Sequence, residues 1–343
     1  MLLVFVLVGC GGDLDTRLSA YIEALQDTQS VSSSTPSAPQ LEPYPDRGSL
    51  RAALPEVRVG LLDFIGLDRR CGLGTLVAGR NSALGMVMPA SQRLVYEQTL
   101  LLELRDCVAA LKATAADPAA IAEVEALLRR KSVQMPRVFW NATVAGPEFE
   151  KMFSLSGPGQ LDRASLDAVG ESTREALDFL LRSYPNLGAH GRSLENSALE
   201  THLHNLALEG FGGRILETMA VLTTGMEQAA GLLETPVAPE SCGTLMAVHD
   251  EYVQAWLRPL VTTLTEVAGS FLSRVNRLVA LPQEEPAQSP VVDSIEAFQR
   301  YRRSFLERDV ADGLWHRLEL ARQRHQQIWR SRLEACGASP VVD

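Results

Sequence analysis

Six histidines carry the widest chemical range in this chain: His190, His202, His204, His249, His316 and His325. An imidazole can bind a metal or move a proton near neutral pH. His202-Leu203-His204 is the tightest group. On a helix, residues two apart point about 200° away from each other, so one ion cannot take both. Glu200 and His204 are four apart and share a helical face, but two ligands do not make a site without a third from elsewhere. Gly188-Ala189-His190 is followed by Glu195, five residues beyond the histidine, so the pair misses the three-residue spacing of a G-x-H-x-x-E motif. The histidines read as ordinary surface or core residues, and no metal ligand is assigned.

Other chemistry leaves sharper signatures, and they are missing. There is no G-x-S-x-G nucleophile elbow. There is no P-loop, no dinucleotide glycine fingerprint and no H-E-x-x-H pair. No catalytic residue and no cofactor is assigned, and the sequence favours a non-enzyme. One polar stretch stands out between Ala78 and Leu94. Its structural reading is a tight helix-to-helix turn, with Asn81 and Ser82 bonding free carbonyls and Ser91 capping the next helix. Its functional reading is a pocket lined by Arg80, Asn81, Gln92 and Arg93 that takes an anionic or polar group.

Cysteine chemistry is more telling. Leu7-Val8-Gly9-Cys10 closes an apolar run from Met1 to Val8 and precedes Gly11-Gly12-Asp13. A small residue before a cysteine is the pattern of a bacterial lipoprotein signal, in which the chain is cut and the Cys10 thiol acylated. The run is about half of the roughly 20 residues that a membrane span needs, and it matches the apolar region of a signal peptide. More than one acyl chain, at roughly 0.8 kcal/mol per CH₂, makes such anchoring stable. Gly11 is not acidic, which by analogy with lipoprotein sorting favours the inner leaflet of the outer membrane. A basic start is expected before the run, whereas Met1-Leu2-Leu3 carries no side-chain charge.

Cys71, Cys107, Cys242 and Cys336 remain, an even number that suggests two disulfides in an exported chain. In an antiparallel helical hairpin, residues equidistant from the turn lie side by side. Cys71 and Cys107 flank Pro89 symmetrically, and Cys242 and Cys336 flank Ser289. The expected pairs are therefore Cys71–Cys107 and Cys242–Cys336, each closing the open end of its own hairpin.

Composition bounds the partners. The chain has 343 residues, 46% of them hydrophobic, and a formal net charge of −10. That balance excludes the basic surface that nucleic acid requires. The membrane link rests on lipid, and a protein partner in the envelope is expected.

The elements that must position these residues are helices. Apolar residues recur at three- and four-residue steps almost throughout, with no sustained alternation of period two. Residues 1–9 read as signal peptide and 10–53 as a lipid-anchored tether with a Ser/Pro-rich linker. Residues 54–337 read as one helical domain, and 338–343 as a tail. The fold class is all-α, a multi-helix bundle with a long C-terminal antiparallel hairpin. Its first arm runs from about Gly243 to Ala280, kinked at Pro259, and its second from about Val292 to Ala335. Pro282 to Pro290 supplies the turn, and the hairpin would be roughly 60 Å long.

The lipobox, Gly60-Leu61-Leu62-Asp63-Phe64, Cys71-Gly72-Leu73, Arg80-Asn81-Ser82-Ala83-Leu84-Gly85, Pro89-Ala90-Ser91-Gln92-Arg93 and Ala145-Gly146-Pro147-Glu148-Phe149 together resemble a family of uncharacterised Gram-negative lipoproteins, domain of unknown function 3080. The resemblance is densest from Gly60 to Cys107. It implies export and lipidation and carries no activity. The expected function is a lipid-anchored periplasmic interaction or scaffold protein. The alternatives are a cell-wall hydrolase with a site assembled from scattered helices, and a binder of metal or a small ligand. Elemental analysis of the purified protein is expected to find no stoichiometric transition metal; a full equivalent of zinc or iron lost in His204→Ala would promote the metal-binding alternative.

Overall fold

Apolar stripes at helical spacing can be buried only by laying helices side by side, and every regular element among the described residues is helical. The structure is a computed structural model describing residues 14–29, 39–55, 61–155, 161–236, 238–283 and 296–337. The signal and Cys10, the Ser/Pro-rich run at 30–38, most of the turn after Pro282 and the tail lie outside these residues. In chain order the α-helices are α1 (Leu14–Gln29), α2 (Arg47–Leu50), α3 (Leu61–Cys71), α4 (Gly74–Asn81), α5 (Ala83–Met86), α6 (Ala90–Ala113), α7 (Pro118–Ser132) and α8 (Met135–Ala142). They continue with α9 (Pro147–Met152), α10 (Arg163–Ser183), α11 (Asn196–Ala207), α12 (Phe211–Leu233), α13 (Cys242–Val248), α14 (Arg258–Ala280), α15 (Glu296–Tyr301) and α16 (Leu314–Ala335).

The centre is α12. Ile215, Leu216, Met219, Leu222, Met226, Ala229, Leu232 and Leu233 are buried around most of its circumference, as a helix apolar on all sides must be. Helix α16 runs along one side of it and α1 along another, while α10 and α14 pack on each other. The approach of α1 depends on Gly225, where a Cβ would come 2.7 Å from Leu18.

The tether expected over 10–53 is corrected here. Helix α1 is part of the body, with Leu14, Leu18, Tyr21, Ile22 and Leu25 buried in the main core. The following segment is stitched to α8. Asn141 accepts from the Ala52 amide at 2.8 Å and donates to its carbonyl at 2.9 Å. The Trp140 indole donates to the Leu50 carbonyl at 2.8 Å, and Tyr44 donates to the Val144 carbonyl at 2.8 Å. A polar, proline-bearing composition suggested a linker, but Tyr44 and Leu50 are buried there as anchors.

A smaller core lies between α3, α4, α6 and α7, built on Leu67, Leu73, Leu104, Val108, Leu111, Val124 and Leu127. Helix α6 spans both cores, sending Leu94 and Leu101 into the main one. Asp117 caps α7 by accepting from the Ala119 amide at 3.1 Å, with Pro118 at the first helical position, as its sequence predicts. Cys71 and Cys107 are disulfide-bonded with Cα atoms 5.3 Å apart, fastening α3 to α6. The Cys242–Cys336 bond, Cα atoms 5.5 Å apart, joins the start of α13 to the end of α16.

The second arm is not one helix. Arg302–Leu306 forms a π-helical turn after α15, and the chain then leaves helical geometry until Gly313 opens α16. In the first arm, Pro259 is accommodated by a π-helical stretch, His249–Leu257, instead of a break. Proline lacks an N–H and crowds the carbonyl four residues back. The Arg258 amide bonds the Val253 carbonyl, five residues back, and this wider turn absorbs the mismatch.

Unreduced peptide mapping is expected to recover the two linked peptides. C71S/C107S and C242S/C336S should lower unfolding free energy by up to about 4 and about 5 kcal/mol for loops of 36 and 94 residues, read by urea melts. Four free thiols in folded, exported protein would refute the pairing.

Candidate functional site

The two C-terminal arms meet at their ends and part between them. Near the turn, a Cβ on Gly269 would sit 3.5 Å from Trp315. At the far end stand the His249–Trp329 ring contact, centroids 4.9 Å apart, and the Cys242–Cys336 bond. The space between is a cleft of about 400 Å³, in the range of small-molecule sites. Its floor is apolar: Met226 from α12 with Leu257 and Val261 from the first arm, all buried. The π-helical stretch supplies His249, Val253 and Gln254 to one wall, and α16 supplies Arg322, His325, Trp329 and Arg330 to the other.

The back of the α16 wall is a polar node at full burial. The Trp329 indole N–H donates to the Tyr21 hydroxyl at 2.7 Å. An indole nitrogen only donates, so the Tyr21 proton is left for His325 Nε2, 2.8 Å away. His325 is thereby a neutral imidazole with its proton on Nδ1. Burial, with a smaller contribution from the neighbouring His249, pulls the His325 pKa down to about 3. Burial also raises the Tyr21 pKa, so its hydroxyl keeps its proton. The Tyr21 ring stacks on Tyr252 with centroids 5.7 Å apart, locking α1 against the π-helical stretch.

His249 is held more loosely. Its Nδ1 lies 3.4 Å from Asp250 Oδ1 and its Nε2 lies 3.4 Å from Gln254 Nε2. Burial lowers its pKa, and Asp250 opposes the shift in part. Arg258 Nη1 donates to Gln254 Oε1 at 3.2 Å, and Arg322 is paired with Glu319 at 2.6 Å. No carboxylate lines the cleft among the described residues. Both imidazoles are neutral near pH 7, and the ionised side chains in the described lining are Arg258, Arg322 and Arg330. Among the described residues the walls hold no cysteine, serine, lysine or acid; Thr262 supplies a hydroxyl, and His249 and His325 supply imidazoles.

The polar pocket expected at the Gly79–Gln92 corner forms only in part. Arg80 and Gln92 border a shallow depression with Tyr96, but Arg80 Nη1 donates to the Gly85 carbonyl at 2.6 Å. Asn81 is exposed, and Arg93 turns away to Glu97, at 3.6 Å. Glu97 also takes Lys131 at 2.9 Å. Ser82 makes the turn, donating to Gly79 and accepting from the Gly85 amide. Pro89 stands at the start of α6, where Ser91 was expected as the cap.

Among the remaining histidines, His202 stacks on Phe179 with centroids 4.2 Å apart, and His190 and His204 are exposed. Among the described residues, no three His, Cys, Asp or Glu side chains gather as a metal set. Glu148 and Glu200 approach each other, and burial first, then Glu200, raises the Glu148 pKa. Sequence reasoning missed the cleft because Tyr21 lies 304 residues from His325. The one local sign was His325 and Trp329, four apart on a face that α16 buries.

The His325 pKa lies below the ordinary value of 6.5, so between about pH 3 and 6.5 the unfolded chain binds more protons than the folded one. Stability from this group is therefore complete above pH 6.5 and is lost as pH falls through that window. His325→Gln, which keeps an acceptor for Tyr21, should flatten the stability–pH slope there by up to about 1.4 kcal/mol per pH unit. Urea melts from pH 7 to pH 4 measure it, and an unchanged slope would refute the neutral, buried state.

A family model described as a protein of unknown function, DUF3080, matches residues 18–340. No curated protein and no solved structure matches the chain. The matched span runs from within α1 to beyond Cys336 and so takes in both disulfides, both arms and every wall of the cleft: the chain belongs to the DUF3080 family.

Proposed function

We propose that this protein is a lipid-anchored component of the Gram-negative cell envelope that works by binding a small molecule in the cleft between its C-terminal arms. The cleft carries the binding half of the reading. It combines an apolar floor with arginines, the Thr262 hydroxyl and two neutral imidazoles in about 400 Å³. The lipobox ending at Cys10 supports the location half, and two disulfides fit an oxidising compartment. A glycosidase has less support, because hydrolysis of a glycosidic bond canonically needs two flanking carboxylates and none lines the cleft among the described residues.

A scaffold role is favoured by one separate observation. Leu84, Met86 and Val87 are 83%, 68% and 76% exposed at the corner between α5 and α6, an apolar tip suited to docking on another envelope protein.

In a Gram-negative host the chain is expected to take up labelled palmitate and to partition with membranes. Cys10→Ala should abolish labelling; labelling that persists in that variant would refute the anchor.

A further inference from the structure

The corner between α5 and α6 holds its apolar side chains out in water. Leu84, Met86 and Val87 are all well exposed, and Leu84 and Val87, three apart on one helical turn, share a face. The backbone keeps them there. Ser82 Oγ accepts from the Gly85 amide at 3.1 Å, and Arg80 Nη1 donates to the Gly85 carbonyl at 2.6 Å. A Cβ on Gly85 would collide with the Gly79 carbonyl, so the turn is as tight as the chain allows. The Cys71–Cys107 bond ties the helices at the base of this lobe. Contiguous apolar side chains presented on a fixed turn mark a contact site.

Protein and lipid are both able to cover such a tip, and charge and shape favour lipid. The protein carries a formal net charge of −10, yet from Arg69 to Tyr96 it has four arginines and no carboxylate. Two of these arginines stand beside the tip. Arg80 borders a depression with Leu84, Met88, Gln92 and Tyr96. Arg93, on the first turn of α6, shares Glu97 with Lys131, at 3.6 and 2.9 Å, so two cations face one carboxylate there. From this we infer that the tip docks on an anionic lipid surface, with Leu84, Met86 and Val87 entering the bilayer interface and Arg80 and Arg93 at the level of the head groups. Apolar insertion and attraction to anionic lipid reinforce each other in such binding. A stable protein interface covers roughly 800 Å² on each partner, more than three projecting side chains supply, whereas lipid moulds around a point. Helix α1 begins four residues after Cys10, so an acyl group there would hold the body within about 15 Å of a bilayer. That proximity rests on the proposed anchor; the affinity of the tip for lipid does not.

The test uses residues 11–343, which keep every described helix and lack only the leader and Cys10. It measures sedimentation with vesicles of phosphatidylcholine alone, or mixed in equal parts with phosphatidylglycerol. The mixed vesicles are expected to bind at least about tenfold more tightly, a preference that added salt weakens by screening. L84S/M86S/V87S should lower binding to the mixed vesicles by about tenfold or more, with circular dichroism melts checking that each variant folds. L84W/V87W should tighten binding, because tryptophan favours the bilayer interface, a gain that loss of folding does not mimic. Equal binding to the two vesicles would overturn the anionic surface, and binding that L84S/M86S/V87S leaves unchanged would overturn the role of the tip. No binding to either vesicle would overturn the whole inference and return the tip to a protein partner. The protein tested lacks Cys10, so this result and palmitate labelling of the full chain can fail independently.

Discussion

The hydroxyl of Tyr21 joins the first described helix of the body to the last. It sits between the Trp329 indole and the His325 imidazole at full burial, and each of the three groups satisfies one that would otherwise be stranded. An unpaired buried polar group costs roughly 1–3 kcal/mol, so none of the three can leave alone without penalty. Much follows from this one node. It holds α1 in the groove beside α12, fixes the face that α16 turns toward the arms, and makes the rear wall of the cleft out of neutral groups.

Elsewhere the same economy of buried polar side chains defines where loops lie. Gln98, buried on α6, accepts from the Gly188 amide at 2.7 Å and donates to the carbonyls of Gly188 and Arg192 at 3.2 and 3.0 Å. It clamps a loop whose glycine takes a φ of +96°, a conformation that glycine adopts without strain. Asn141 does the same for the Ala52 backbone with a paired donor and acceptor. A bundle whose apolar faces are interchangeable in chemistry gains a single arrangement from such contacts, because a helix shifted by one residue would strand them.

Periodicity carried most of the architecture. The stripe from Leu94 to Leu111 marks α6, and Asp117-Pro118 marks the start of α7 to the residue. The even cysteines and their symmetry about Pro89 and Ser289 match the two bonds observed. What composition hid was packing at a distance. Ser, Pro and Gln around position 40 look like linker, yet Tyr44 and Leu50 are buried there because α8 offers polar partners to an otherwise extended backbone. Helix α8 itself carries a proline and apolar residues on almost every side, and its brevity left no repeat to read. The cleft was illegible for a similar reason. Its histidines stand 76 positions apart, at 249 and 325, in stretches whose local pattern speaks only of core.

The order of the cysteines has a consequence for how the molecule can be made. The bonds link neighbours along the chain, the first cysteine of the body to the second and the third to the fourth. A polypeptide delivered amino-terminus first into an oxidising compartment would present Cys71 and Cys107 while the later pair was still out of reach. Sequential oxidation on arrival then produces the native connectivity directly, and thiol–disulfide reshuffling, the slow step for many secreted chains, has nothing to correct.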